Sequence, residues 1–131
     1  MEKKLIAIEG PEVSLDDIEH RILRPIWKDP RIHYAVNCAS VGCPDLLAEP
    51  FRADRADAVL TAAARAYINH PRGAAFNAAD SKLTVSKIYD RFEADFGGSE
   101  KAVIRHLSQY AEGPFRARLE KTMEIADYVY D

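Results

Sequence analysis

Apolar positions alternate near the two ends of the chain and recur every third or fourth residue through its middle, with turn residues marking most changes of period. Residues 3–8 place Leu5 and Ala7 on one face and Ile6 and Ile8 on the other, which predicts a short strand ended by Gly10 and Pro11. Ser14 stands where an N-cap belongs, with Asp16 and Asp17 in the first turn, so a helix follows to about Leu23. Pro25 and Pro30 bracket a stiff connection holding Trp27, and residues 31–37 fit a strand or the first turns of a helix equally. Ser40, Gly42 and Pro44 then give residues 38–44 the chemistry of a loop or bend.

Over residues 54–69, Ala56, Leu60, Ala63, Ala64 and Tyr67 recur at helical spacing, and Pro71 and Gly73 stop the pattern. Residues 82–85 read as a strand. Ser86 caps a helix whose stripe is Ile88, Phe92 and Phe96, closed by Gly97 and Gly98, and Ser99 opens another with Val103, Ile104, Leu107 and Tyr110 inward. Gly113 and Pro114 begin a charged stretch, and residues 124–130 read as a final strand. The sum is a single α+β domain over residues 1–131, mainly helices packed on a short antiparallel or mixed sheet.

Composition supports that picture. A chain of 131 residues, 47% hydrophobic and 30% charged, has the balance of a globular domain with a real core. A formal charge of −3 supplies no basic footprint for nucleic acid, and no apolar run approaches the ~20 residues that span a bilayer. Two cysteines are too few for a disulfide framework, and the four residues between Cys38 and Cys43 do not make a Cys-x-x-Cys motif. They are free to pair, to bind metal or to stay reduced.

Candidate chemistry gathers in the first third of the chain. At 100° per residue, Leu15, Ile18, Ile22 and Leu23 form the apolar face of the first helix, and Glu19 projects from its middle. A carboxylate in that position needs a cation, an imidazole or backbone donors. His33 and Cys38 would meet only if the chain bends after Asn37, as the turn residues allow. That bend would give a Cys38 nucleophile, His33 as base and then acid, and Glu19 on the other ring nitrogen. Asn37 is a candidate donor to a developing oxyanion, with backbone N–H groups of residues 38–42, Ser40 and His20 beside it on the substrate side. Cys43 is the alternative nucleophile or the resolving thiol of a reversible disulfide. His20, His33, Cys38 and Cys43 carry zinc-binding atoms, but their spacing fits no finger or ribbon, so neither metal nor cofactor is expected. His70 and His106 read as surface or capping residues, Asp95 as a cap or pairing partner, and Trp27, Tyr128 and Tyr130 as core or edge packing.

The segments Ser14-Leu-Asp-Asp-Ile-Glu-His-Arg-Ile-Leu-Arg24 and Asp29-Pro-Arg-Ile-His-Tyr-Ala-Val-Asn-Cys-Ala-Ser-Val-Gly-Cys-Pro44 resemble the DUF547 family, whose members have no established reaction. The resemblance continues through Ala64-Arg-Ala-Tyr-Ile-Asn69 and Leu83-Thr-Val-Ser-Lys-Ile-Tyr89 to Asp95-Phe-Gly97. It implies a papain-like or transglutaminase-like fold, a polar signature at Glu19, His20, His33, Asn37, Cys38 and Cys43, and bacterial relatives that are often exported. Plant relatives joined to a leucine-zipper region imply an interaction role. Members usually carry an upstream helix with a Trp-x-Asn-x-Tyr-Asn pattern and a Trp-containing tail, so the chain is expected to be a truncated domain able to pair with a second copy as a homodimer.

Three functions follow as expectations. The first is a thiol-dependent hydrolase or acyl transferase acting on an amide, peptide or thioester. The second is a non-catalytic protein-interaction module, and the third a redox-active dithiol domain.

Overall fold

In the computed structural model, which describes residues 3–129, Ser14 caps the first helix as its position predicts. Its hydroxyl accepts from the Asp17 N–H at 3.0 Å while Asp17 accepts from the Ser14 N–H, a reciprocal capping box that satisfies two otherwise orphan donors. The predicted first strand is short, β1 (Ile6–Ala7), and pairs antiparallel with β2 (Glu12–Val13) across the turn at Gly10 and Pro11. Two residues per strand carry too little alternation for β2 to show in the sequence.

The helix after Ser14 departs from the expected geometry. Its first turn, α1 (Leu15–Asp17), runs directly into a π-helix (Ile18–Trp27) that includes Pro25 and ends at Lys28 in the left-handed region. Hydrogen bonds in a π-helix reach from i to i+5, so each residue turns by less than the 100° that placed Glu19 on the apolar face. Trp27, expected in core or edge packing, ends this helix 63% exposed and so lies outside the core. Residues 31–37 settle as a 3-10 turn, Pro30–Tyr34, started by the Asp29 carboxylate accepting from the Arg31 N–H at 2.9 Å. Ile32, His33 and Tyr34 are buried there.

Helix α2 (Ala56–Ile68) matches its expected span, and Ala64 and Ile68 pack fully buried. Gly73 follows because only glycine fits: a Cβ there would lie 2.1 Å from the carbonyl oxygen of Tyr67. Strand β3 (Ala74–Phe76), unmarked by any alternation, pairs antiparallel with β4 (Leu83–Ser86), and β4 pairs parallel with β5 (Asp127–Val129). The result is a mixed three-stranded sheet of order β3-β4-β5. Tyr130, expected in the last strand, lies outside the described residues.

Ser86 belongs to β4, and its hydroxyl accepts from the Ile88 N–H at 3.3 Å where α3 (Ile88–Arg91) begins. The single helix expected here is α3 followed by a 3-10 turn, Glu93–Phe96, closed by Gly97 at φ +112°. Ser99 caps α4 (Glu100–Tyr110) as predicted. The charged stretch after Gly113 folds as α5 (Gly113–Glu120), which buries Leu119 and lays Arg118 over the Phe76 ring at 3.9 Å. Few of its residues face inward, so its apolar period was too sparse to read.

The core holds Tyr34, Tyr67, Ile68, Leu83, Val85, Tyr89, Phe96, Val103 and Leu107. His106 sits inside it, 6% exposed, rather than at the surface. Its Nε2 is 2.7 Å from the Tyr34 hydroxyl, which lies 3.1 Å from that of Tyr89, so three buried polar groups satisfy one another. Among the described residues no helix is long and apolar enough to cross a membrane.

Burial lowers the His106 pKa to about 4, outweighing the attraction of Asp29. The unfolded chain, titrating near pH 6.5, therefore takes up this proton first. Stability from His106 is complete above pH 6.5, falls as the pH drops toward 4, and levels off below that, a loss of about 3 kcal/mol. Denaturant melts between pH 7.5 and 4 should show that slope, and His106→Gln should flatten it while lowering stability at neutral pH.

Candidate functional site

A cleft of about 740 Å³ opens between the π-helix, the chain after Tyr34, and α3. Glu19, His20, His33, Asn37 and Cys38 all line it, among aliphatic side chains, the ring of Phe92 and the charged side chains of Asp16, Lys87 and Arg91. The bend expected after Asn37 is present and brings His33 and Cys38 to one cavity.

His33 is 4% exposed, with its ring stacked on Phe92 at 4.2 Å between centroids. Its Nε2 lies 2.8 Å from Oδ2 of Asp95, and the same oxygen accepts from Arg24 Nε at 2.6 Å. Burial alone would raise the Asp95 pKa, but the hydrogen bonds from Arg24 and His33 outweigh it and hold the carboxyl below its ordinary value. An ionised carboxylate only accepts, so His33 Nε2 carries the ring proton and Nδ1 keeps its lone pair. No hydrogen bond occupies Nδ1 among the described residues. Burial lowers the His33 pKa more strongly than Asp95 raises it, which keeps the ring neutral at pH 7.

The orienting carboxylate is thus Asp95, where Glu19 was expected. Glu19 instead stands in the cleft wall with Oε2 3.9 Å from Nε2 of His20, and acts on His33 only as a distant charge. Asp95 is 62 positions from His33 and sits on the turn that closes at Gly97, so no local spacing could join them. The sequence signal was an acid beside Phe96 and Gly97, enough to expect a pairing partner but not to name it.

Cys38 and Cys43 form a disulfide, with Cα atoms 6.0 Å apart. Neither is a free thiol in this structure, so the nucleophile expected at Cys38 is held in oxidised form. The two halves differ in access: Cys38 is exposed at the cleft while Cys43 is 3% exposed. The loop between them is held from several directions. Tyr67 donates its hydroxyl to the Gly42 carbonyl, and Arg72 Nη1 donates to the carbonyls of Val41 and Cys43 at 3.2 and 3.3 Å. Asn37 donates to the Pro44 carbonyl at 3.0 Å and accepts from the Ala39 N–H at 2.8 Å. Its amide is spent on the turn instead of facing a substrate oxygen. Ser40 Oγ is buried and has no hydrogen-bond partner among the described residues. His70 is exposed, its Nδ1 accepting from the Arg72 N–H at 3.1 Å.

Residues 1–68 match the model of a family described as protein of unknown function, DUF547. The chain belongs to the DUF547 family. Searches of curated proteins and of solved structures gave no match. The part matched in this DUF547 domain contains Glu19, His20, Arg24, His33, Cys38 and Cys43, whereas Asp95 lies beyond it.

Asp95→Asn removes the charge that favours protonated His33, so the His33 titration midpoint should fall further. NMR titration of the ring Cε1–H reads this directly, and an unchanged midpoint would mean that the contact carries no charge coupling.

Proposed function

We propose that the cleft is the active site of a thiol-dependent hydrolase or acyl transferase whose nucleophile, Cys38, is stored as a disulfide with Cys43. One observation carries the reading: a buried histidine, oriented by a carboxylate and offering a lone pair, shares a cleft with an exposed cysteine. Asp95 takes the orienting role in place of Glu19, and a lining of aliphatic side chains and Phe92 with the charged Asp16, Lys87 and Arg91 among them suits an amide, peptide or thioester that has both apolar and polar parts.

Activation is a thiol–disulfide exchange. One dithiol, or two molecules of a small thiol, supplies two electrons, is oxidised to its own disulfide, and leaves Cys38 and Cys43 as thiols. His33 Nδ1 then takes the Cys38 proton, and the thiolate attacks the acyl carbon to form a C–S bond. As the bond to the leaving amine or thiol breaks, the His33 imidazolium returns the proton to that group. Water, deprotonated by the same nitrogen, cleaves the thioester and restores the thiol, releasing a carboxylic acid. Transfer differs only in that an amine or alcohol replaces water.

The disulfide itself favours a second reading, a dithiol oxidoreductase, because one of its cysteines is exposed and the other buried, the asymmetry that exchange at a single sulfur would use. The two readings diverge at Cys43→Ser. That variant should hydrolyse a p-nitrophenyl ester or a thioester without added reductant if Cys38 is an acyl nucleophile. An oxidoreductase needs both sulfurs and would lose disulfide exchange.

After reduction, iodoacetamide at pH 6 should alkylate Cys38 at least about tenfold faster than free cysteine, since His33 raises the thiolate fraction. His33→Ala should remove the excess. Reaction no faster than free cysteine in the reduced wild-type protein would overturn the thiol reading.

A further inference from the structure

Arg24 touches more than Asp95. Its Nη1 lies 3.0 Å from Nδ1 of His20, one turn earlier in the same π-helix, while its Nε holds Asp95. A guanidinium has only N–H donors and does not lose its proton in proteins, so Nδ1 of His20 must be the acceptor. The ring proton of His20 is therefore on Nε2. The two histidines of the cleft are held in the same Nε2–H tautomer but engaged at opposite nitrogens, so His33 keeps a lone pair at Nδ1 and His20 keeps an N–H at Nε2. Phe92 supports both partners, stacking with His33 at 4.2 Å and lying 4.8 Å beneath the Arg24 guanidinium.

We propose that Arg24 orders a base and a donor for one reaction: through Asp95 it aims His33, and by donating to Nδ1 it makes His20 the N–H that binds the oxygen of the substrate's acyl group. This rests on the acyl-transfer reading and adds to it the group that stabilises the tetrahedral oxyanion, a part that Asn37 is too committed to play. His20 is the catalytic residue of the pair, since it touches the reacting oxygen, and Arg24 is a positioning residue. The nearest acid, Glu19 Oε2, stands 3.9 Å from His20 Nε2, beyond hydrogen-bond length, so it favours the N–H without occupying it. His20 also borders a second cavity of about 460 Å³ lined by Arg24, Lys28 and Asp95 among others.

The test uses the full chain. Two-bond ¹H–¹⁵N NMR of the histidine rings should show His20 protonated at Nε2 and His33 at Nε2, and Arg24→Gln should convert His20 to a mixture of tautomers. With a thioester as probe and reduced protein, His20→Ala should lower kcat by about 100-fold with little change in KM, and His20→Gln, which retains an N–H donor, should recover at least tenfold of that loss. A His20 protonated at Nδ1, or a kcat unaffected by His20→Ala in a protein that turns over, would overturn the proposal and leave the Cys38–His33 reading intact. Wild-type alkylation no faster than free cysteine would overturn that reading and the catalytic part given to His20, with the tautomer measurement alone deciding the part given to Arg24.

Discussion

One carboxylate oxygen, Oδ2 of Asp95, accepts from both Arg24 and His33, and through it three separate stretches of chain become one wall. Arg24 comes from the π-helix, His33 from the turn after Asp29, and Asp95 from the turn that Gly97 closes. The two turns that carry His33 and Asp95 are only five and four residues long, too short to hold their place alone, since 3-10 turns have poorer hydrogen-bond geometry than an α-helix. The charge pair does that work because it is half-buried: water is largely excluded, the attraction is less screened than at the surface, and each group would be costly to leave without the other. Phe92 closes the arrangement by packing under both cationic and imidazole partners.

The core beneath this wall is built around a polar exception. Tyr34, Tyr89 and His106 are buried with their polar atoms in mutual contact, and the next residue before Tyr34 is His33. Adjacent residues of one 3-10 turn thus point to different purposes, one into the core and one into the cleft wall. A shift of that turn would disturb both sets of hydrogen bonds together. This couples the geometry of the candidate site to the stability of the domain more closely than a site carried on a free loop.

Legibility in the sequence followed the strength of local patterns. The caps at Ser14 and Ser99, helix α2 and strand β4 were readable because each rests on a side chain or period contained within a few residues. Helix α5, strands β2 and β3, and the buried His106 were not, since their inward residues are too few or their burial is decided by distant neighbours. In the cleft, the meeting of His33 and Cys38 in one cavity is readable because the turn residues after Asn37 announce the bend. Glu19 meets a different neighbour from the one that α-helical spacing predicts because the segment is a π-helix, and no local spacing pairs Asp95 because only the folded chain brings it to His33.

The loop from Cys38 to Pro44 has moorings of its own. Tyr67, Arg72 and Asn37 fasten its carbonyls from α2, from the segment before β3 and from within the turn, and none of these bonds passes through sulfur. The electron count of the two cysteines can therefore change while the backbone that carries them stays berthed. Cys38 keeps its place in the lining of the cavity it shares with His33 through these carbonyl bonds as well as through its disulfide.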